Sequence, residues 1–263
     1  MTDSILEIKQ VSKSFDLGRG RLLKAVQDVT FNVEKNSICV LLGPSGCGKS
    51  TVLRMMAGLE TATSGQIVIG GQEVDGPGRD RGMVFQAYTS FDWLSVRKNV
   101  EFGMKINGLA ASERKLRAEH FLDLVGLTKF ADAYPSQLSG GMRQRVAIAR
   151  TLANDPEVLL MDEPFGALDA ETRWLMQELM IDVAEKTNTT MVIVTHDLEE
   201  AIFLADKIVF LSSHPGTLKE IIVPEFKGGN RIPDKEHIIK LEGYSAMEEK
   251  IMRLMREEGR RDE

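Results

Sequence analysis

The sequence predicts an α/β fold: a mostly parallel sheet covered by helices, with an antiparallel β edge near the N-terminus and an inserted helical subdomain. Three observations predict it. Short apolar runs alternate with helical patterns in the first and last thirds of the chain. One run, residues 38–42 (ICVLL), is apolar throughout and ends in a Gly-rich loop followed by a helical pattern. From about residue 87 to 155 the β-branched runs vanish and helical periodicity takes over.

The elements follow in order. Residues 5–8 and 26–33 read as strands, the second by alternation (VQDVTFNV). After the strand at 38–42, residues 51–59 read as a helix with Val52, Leu53, Met56 and Leu59 on one side. Ser64-Gly65 is a turn, and QIVIGGQEV a strand interrupted by Gly-Gly. In the helical region, residues 113–125 carry Leu116, Phe121, Leu124 and Val125 as apolar positions, and a second helix starts at Gly140. Strands at 158–161, 190–195 and 207–211 then alternate with helices at 170–186 and 198–205. Beyond about Gly228 the text turns Pro- and charge-rich, then amphipathic, with Met247, Ile251, Leu254 and Met255 on one face. From Met247 to Glu263 the acids number six and the bases five, which favours self-packing or a dimer contact over a membrane surface.

Length and composition bound the rest. A chain of 263 residues can bury a sizeable core without a disulfide or metal staple. Its 43 % apolar and 27 % charged residues are those of an ordered globular chain. The net charge of −6 disfavours a general nucleic-acid binder, which needs a basic surface. No apolar run reaches 18 residues, so no bilayer span is predicted, and the N-terminal text lacks the pattern of a secretory signal. Cys39 and Cys47 are too few for a disulfide framework and lack zinc-site spacing, which fits a reducing, cytosolic setting.

Residues 43–50 read GPSGCGKS, matching G-x-x-x-x-G-K-[ST] between a strand and a helix, the context that gives the motif its meaning. Gly43, Gly46 and Gly48 let successive backbone N–H groups turn inward around a phosphate, and the following helix adds its positive end. Lys49 supplies a cation for β- and γ-phosphates, and Ser50 a hydroxyl ligand for Mg²⁺. Pro44, Ser45, Cys47 and Thr51 complete the candidate nucleotide-binding stretch. The plain alternative is a Gly-rich turn with an exposed lysine. Cys47, beside Lys49 and a helix N-terminus, is expected to have a lowered thiol pKa. A redox role and a simple need for a small residue both stay open there.

Residues 158–163 read VLLMDE, a buried strand ending in two carboxylates. Neighbours at a strand tip diverge, so the two can serve different roles. Asp162 suits Mg²⁺, through water, and Glu163 suits polarising a water as general base. Alone the pair would read as a solvated turn; with the phosphate loop it reads as half of a nucleotide site.

Residues 138–142 read LSGGM, with Arg143-Gln144-Arg145 following. Between GPSGCGKS and MDEP, this resembles the signature motif of the ATP-binding cassette (ABC) family. The remaining motifs come in family order over about residues 5–223. Phe15 resembles the aromatic that stacks on adenine, Gln86 in GMVFQ the Q-loop glutamine, and Asp169 in Ala167-Leu168-Asp169 the D-loop. His196 in VTHDLEEA resembles the switch histidine; a lone histidine after a buried strand would otherwise read as structural. His120, His214 and His237 read as surface or packing residues. The chain departs from the common pattern at Met142, at Phe165-Gly166 and at Phe15, where Gln, Ser and Tyr are frequent.

The resemblance implies a P-loop core of the ABC ATPase type over residues 1–227, with a C-terminal extension at 228–263. It implies Mg²⁺-dependent ATP hydrolysis in a head-to-tail dimer. Each nucleotide would lie between one chain's Lys49 and the other chain's Ser139, Gly140 and Gly141. It implies a separate membrane permease docking near Tyr88, Phe91, Trp93 and Leu94, against the alternative that this apolar cluster plugs a local core. RDRGMVFQ, LSGGMRQR, DEPFGALD and LSSHPGTLKEIIVP further resemble the nitrate/sulfonate/taurine import branch. That branch implies a periplasmic solute-binding protein, and places the chain on the cytoplasmic face of the cell membrane as a peripheral subunit. The text from Asn230 and the YTSFDWLS segment depart from it. The rival reading is a soluble ABC ATPase acting in assembly, of the iron–sulfur biogenesis type. A nucleic-acid-directed ABC factor is disfavoured by the single cassette and the acidic charge.

Overall fold

The computed structural model describes residues 4–259; the tail charges at 260–263 and the first three residues lie outside the described residues. Two sheets flank a helix. The first is antiparallel, in the order β2-β1-β4-β5, built from β1 (Ser4–Asp16), β2 (Leu22–Glu34), β4 (Ser64–Ile69) and β5 (Gln72–Glu73). Leu6, Ile8 and Val11 of β1 are all buried although their spacing changes from two to three. A register shift between Ile8 and Val11, with Gln10 at φ 51°, resets the phase and keeps the apolar face inward. Gly70 and Gly71, both at positive φ, form the tight turn between β4 and β5.

The second sheet has the order β10-β9-β3-β8-β7-β6. Its members are β3 (Ile38–Leu42), β6 (Arg81–Val84), β7 (Val158–Asp162), β8 (Thr190–Val194), β9 (Lys207–Leu211) and β10 (Leu218–Ile222). All neighbours from β9 to β6 run parallel, and β10 closes the edge antiparallel. The expected N-terminal antiparallel edge is thus a sheet of its own, and a second antiparallel edge lies at β10.

The strands β3, β7 and β8 are buried at every residue, which explains their unbroken apolar text. Their two faces feed two cores. Cys39 and Leu41 pack with Val52, Leu53 and Met56 of α1 (Lys49–Met56) and with the antiparallel sheet. Ile38, Val40 and Leu42 face the other way, toward a larger core. That core includes α4 (Gly140–Leu152), α5 (Ala170–Thr187) and α6 (Leu198–Leu204).

The inserted region is built on three α-helices, α2 (Val96–Ile106), α3 (Ala111–Leu124) and α4, preceded by a non-helical segment at 87–95. Two details differ from the periodicity. In α3 the inward stripe is Ala118 and Leu122, continued by Val125, while Leu116 is 68 % exposed. The helix α1 ends before Gly58, which takes φ 71°, so Leu59 falls outside it and is 49 % exposed.

The C-terminal residues pack on the body. The last helix, α8 (Tyr244–Gly259), follows the short α7 (Lys235–Ile238) and buries Ile251 and Leu254 against the core, with Met247 and Met255 partly covered. Self-packing is therefore what its apolar face does. Buried Lys227 donates from Nζ to the carbonyls of Phe203 and Ala205, each at 2.8 Å, closing the end of α6. Arg231 pairs with Asp206 at 2.9 Å, and Asp206 accepts the Ile38 N–H at 2.8 Å, tying the extension to the start of β3.

At the α5–α6 contact Glu200 is 4 % exposed, and Gln177 Nε2 donates to its Oε2 at 3.3 Å. Burial, reinforced by the nearby Asp197 carboxylate, pushes the Glu200 carboxyl up to about 8. The folded chain then holds a proton that the unfolded chain releases near 4.5. The stability this carries is complete below that value and is lost as pH rises to about 8. Glu200→Gln should therefore flatten the pH dependence of stability over that window. At pH 8 it should exceed the parent by an amount on the order of a few kcal/mol, read from denaturant melts at pH 5 and pH 8.

Candidate functional site

Parallel strands bring their carboxyl ends to one edge, where open α/β sheets place their chemistry. Four neighbours contribute here. The strand β3 runs into the phosphate loop, β7 ends at Asp162, β8 is followed by His196 and β6 by Gln86. The side chains meet in two linked groups.

The first group is the phosphate loop with Asp162. Lys49 is buried, and its Nζ donates to the carbonyls of Gly43 and Pro44 at 2.8 Å each. Ser50 Oγ donates to Asp162 Oδ1 at 2.7 Å, so the loop hydroxyl and the strand-end carboxylate form one oxygen cluster. Gly48 caps α1 at φ 89°, and a Cβ there would sit 2.7 Å from Val26 Cγ2, so both conformation and space call for glycine.

The second group centres on Glu163. The chain turns sharply after β7, with Glu163 at φ 43° and its N–H donating to Val194 O at 3.0 Å. A non-glycine residue at positive φ stores on the order of 1–3 kcal/mol of strain, and it recurs at functional sites. The turn aims Glu163 away from Asp162, so the paired carboxylates do diverge. Glu163 Oε2 accepts from Gln86 Nε2 at 3.1 Å, and Oε1 lies 3.3 Å from His196 Nδ1.

The other sequence-predicted residues sit apart. Ser139 caps α4, its Oγ accepting the Met142 N–H at 3.3 Å. Gly140 and Gly141 leave room for the Tyr88 hydroxyl and the Thr172 methyl, which a Cβ at either would strike. Asp169 caps α5 by accepting the Thr172 N–H at 3.0 Å, which holds its carboxyl below the usual range. Phe15 is half-buried near the end of β1, with Lys13 Nζ 4.9 Å from its ring centroid. Among the described residues, no hydrogen bond or ion pair joins Ser139 or Phe15 to the phosphate loop. Pro44, Ser45 and Thr51 lie within or just after that loop.

Cys47 corrects the expectation drawn from its neighbours. It is fully buried, and desolvation raises its thiol pKa more than the nearby Lys49 ammonium lowers it. Burial pushes Cys39 further, to about 12. Neither thiol is poised for exchange.

Sequence reasoning missed the side chains that hold the segment after Gln86. Arg150 donates to Thr89 O at 2.7 Å and to Thr89 Oγ1 at 2.6 Å, and lies 5.2 Å over the Phe91 ring. Asn99, fully buried, accepts from Phe91 N–H at 2.7 Å and donates to Leu94 O at 3.0 Å. For Asn99 the signal was present, a lone Asn among apolar helix neighbours; Arg150 is one of three arginines on α4, and only the fold singles it out. Trp93 is 73 % exposed, so a core plug does not describe it.

A strand-loop-helix phosphate cradle, a serine hydroxyl on a strand-end carboxylate and a glutamate held by glutamine and histidine define a nucleoside-triphosphate hydrolase of the P-loop class. The family model described as ABC transporter matches residues 26–166. The nitrate import ATP-binding protein NrtD of Synechocystis sp. is 49 % identical over 228 residues, covering 87 % of this chain and 85 % of that protein. The taurine import ATP-binding protein TauB of Ruegeria pomeroyi is 42 % identical over 251 residues, covering 95 % and 93 %. Among solved structures, a dimeric ATP-binding cassette in a post-hydrolysis state bound to ADP and Pi superposes with a TM-score of 0.73. It is 31 % identical, over 83 % of this chain and 98 % of that one. The chain belongs to the ABC transporter family and is one of its ATP-hydrolysing cassettes.

With both thiols buried and their pKa values raised, neither of the two cysteines should react quickly with Ellman's reagent at pH 8 in the native chain. Two thiols should appear on denaturation. One fast thiol in the native protein would contradict the burial of Cys47.

Proposed function

We propose that this chain is the peripheral, cytoplasm-facing ATPase subunit of a membrane importer for a small anion or organosulfonate-like solute. Residues 1–227 form the ATPase unit and 228–263 its extension. The observation that carries the reading is the meeting of Ser50–Asp162 with Gln86–Glu163–His196 at one sheet edge. The relatives named for nitrate and taurine import support the solute class.

The nucleotide's phosphates lie in the loop from Gly43 to Thr51, with adenine on Phe15. Lys49 exchanges its loop carbonyls for β- and γ-phosphate oxygens. The donors around the loop are oxygens: Ser50 Oγ, the Asp162 carboxylate and the Gln86 amide, a set that fits a hard cation. Ser50, Asp162 and Gln86 would hold Mg²⁺ when it arrives with the nucleotide. Mg²⁺ there supplies charge neutralisation on the phosphates.

Glu163 accepts the proton of the attacking water, and Gln86 orients the carboxylate at 3.1 Å. His196 turns Nδ1 to Glu163, which leaves Nε2 for the γ-phosphate. A neutral imidazole cannot donate from both nitrogens. Donation from Nε2 therefore uses the imidazolium, or a Glu163 that has taken up its proton and donates to Nδ1. Ser139, Gly140 and Gly141 serve the nucleotide of a paired ATPase subunit, identical or homologous, across a head-to-tail interface beside Asp169. Exposed Ser139 at a helix N-terminus suits an anion brought from outside the chain.

The permease docks beside the segment from Tyr88 to Leu94. Phe91 lines a cavity of about 320 Å³ with Phe102, Ile106, Met83, Arg79 and Arg150, and Trp93 stands exposed next to it. Arg150 and Asn99 hold Thr89 and Phe91, in the segment that follows Gln86, so a shift at Gln86 reaches the docking wall. A periplasmic solute-binding protein acts indirectly, through the permease.

Glu163→Gln should bind ATP, slow turnover by about 10² or more, and accumulate as an ATP-bound dimer by size-exclusion chromatography. A variant that stays monomeric at high concentration in ATP would contradict the sandwich. Pull-down from gently solubilised membranes should recover a multi-spanning permease, and Ile106→Glu should lose it. Recovery of soluble partners alone would overturn the transport reading and leave the ATPase chemistry standing.

A further inference from the structure

The phosphate loop rests on the hairpin between β9 and β10. A Cβ at Gly43 would sit 2.5 Å from Leu211 O, one at Gly46 would sit 3.6 Å from His214 Cε1, and one at Gly216 would strike Cys47 O. Gly216 is fixed in turn to β2, donating to Ala25 O at 3.0 Å and accepting from the Gln27 N–H at 2.8 Å. Leu211, His214 and Gly216 thus line successive positions along the outer face of the loop. The hairpin's tip is closed by Ser212 and Thr217, whose hydroxyls are 2.6 Å apart.

One residue far along the chain reaches this tip. Glu258, in the last turn of α8, is completely buried. Its Oε2 accepts the Ser213 N–H at 3.0 Å, and its Oε1 lies 2.6 Å from Lys219 Nζ on β10. A buried carboxylate is retained only where its oxygens are met by donors and a cation. Here the donors come from both sides of the hairpin tip, Ser213 before it and Lys219 after it. The carboxylate therefore fixes the tip at the residue preceding His214.

We infer that Glu258 is a positioning residue for the ATP site: through Ser213 and Lys219 it holds the 212–217 hairpin against the phosphate loop, so the C-terminal helix sets that loop's conformation. The inference rests on the ATP-binding reading above. It assigns the extension a role in nucleotide affinity. Breaking a charge-assisted bond of this kind frees the hairpin tip from α8. The loop it supports must then be ordered by ATP itself, which reduces affinity and leaves the chemical step unchanged.

The test uses the full-length chain. Glu258→Ala should raise the KM for ATP about tenfold, with kcat changed less than about twofold, and should speed hydrogen exchange at amides 45–48 without nucleotide. Glu258→Gln, whose amide oxygen still accepts from Ser213, should recover most of the affinity. Ile251→Ala, on the same helix but in the core, should lower the melting temperature and leave KM and loop exchange as in the parent. Parent KM and parent exchange in Glu258→Ala would overturn the inference, as would equal KM shifts in Ile251→Ala. Where the alanine variant does not fold, Glu258→Asp replaces it: faster exchange at 45–48 supports the inference and unchanged exchange overturns it. Should the parent chain fail to bind ATP, the functional reading fails, while the nucleotide-free exchange comparison still decides the role of Glu258.

Discussion

A strand covered on both faces can place polar chemistry only at its ends. Every residue of β3, β7 and β8 is buried, so these strands carry apolar side chains along their length and change character abruptly where they stop. Their parallel alignment sends all the stopping points to one edge. The glycines after Leu42, the carboxylates after Met161 and the histidine after Thr195 are therefore neighbours in space although far apart in sequence. The hydrogen bond from Ser50 to Asp162 spans 112 positions and is a direct result of this alignment.

The same reasoning explains what could be read in the sequence. The core strands were legible because double burial removes every polar interruption. The candidate site was legible because a Gly-rich loop ending in Lys-Ser and a carboxylate pair at a strand end, as at Gly43 to Ser50 and at Asp162-Glu163, are tightly restricted residue patterns. Legibility fell where a side chain's neighbours come from distant segments. Leu116 has the right spacing for an inward residue, yet the stripe through Ala118 and Leu122 faces the core and turns Leu116 to solvent. Cys47 has a cation beside it in sequence, but burial beneath Gly216 and the hairpin, which only the fold reveals, sets the sign of its shift. Glu258 reads as one charge among many in an amphipathic tail, and only the fold shows that it is buried.

Two scales of constraint meet at Glu163. Locally, its positive φ turns the chain sharply enough to separate it from Asp162. At longer range, Gln86 and His196 come from two other strand ends and converge on its two carboxylate oxygens. Each partner sits on a segment that also reaches outward: Gln86 leads into the helical region held by Arg150 and Asn99, and His196 leads into α6, whose end Lys227 closes. The glutamate is therefore bonded to the two residues that lead, in sequence, into the inserted helical region and into α6.

The chain's two tryptophans stand at two outlying places, one in the segment after Gln86 and one on α5 beneath the extension. Trp93 is solvent-facing in the segment that follows Gln86, its ring tilted against Phe91 with centroids 5.3 Å apart. Trp174 lies on α5, with Lys235 of the extension 5.3 Å over its ring. Single-tryptophan versions of the protein would thus place one optical reporter in the segment before the inserted helices and the other on α5 where the extension covers it. Fluorescence recorded through a catalytic cycle could then report on the two places separately, without any attached dye.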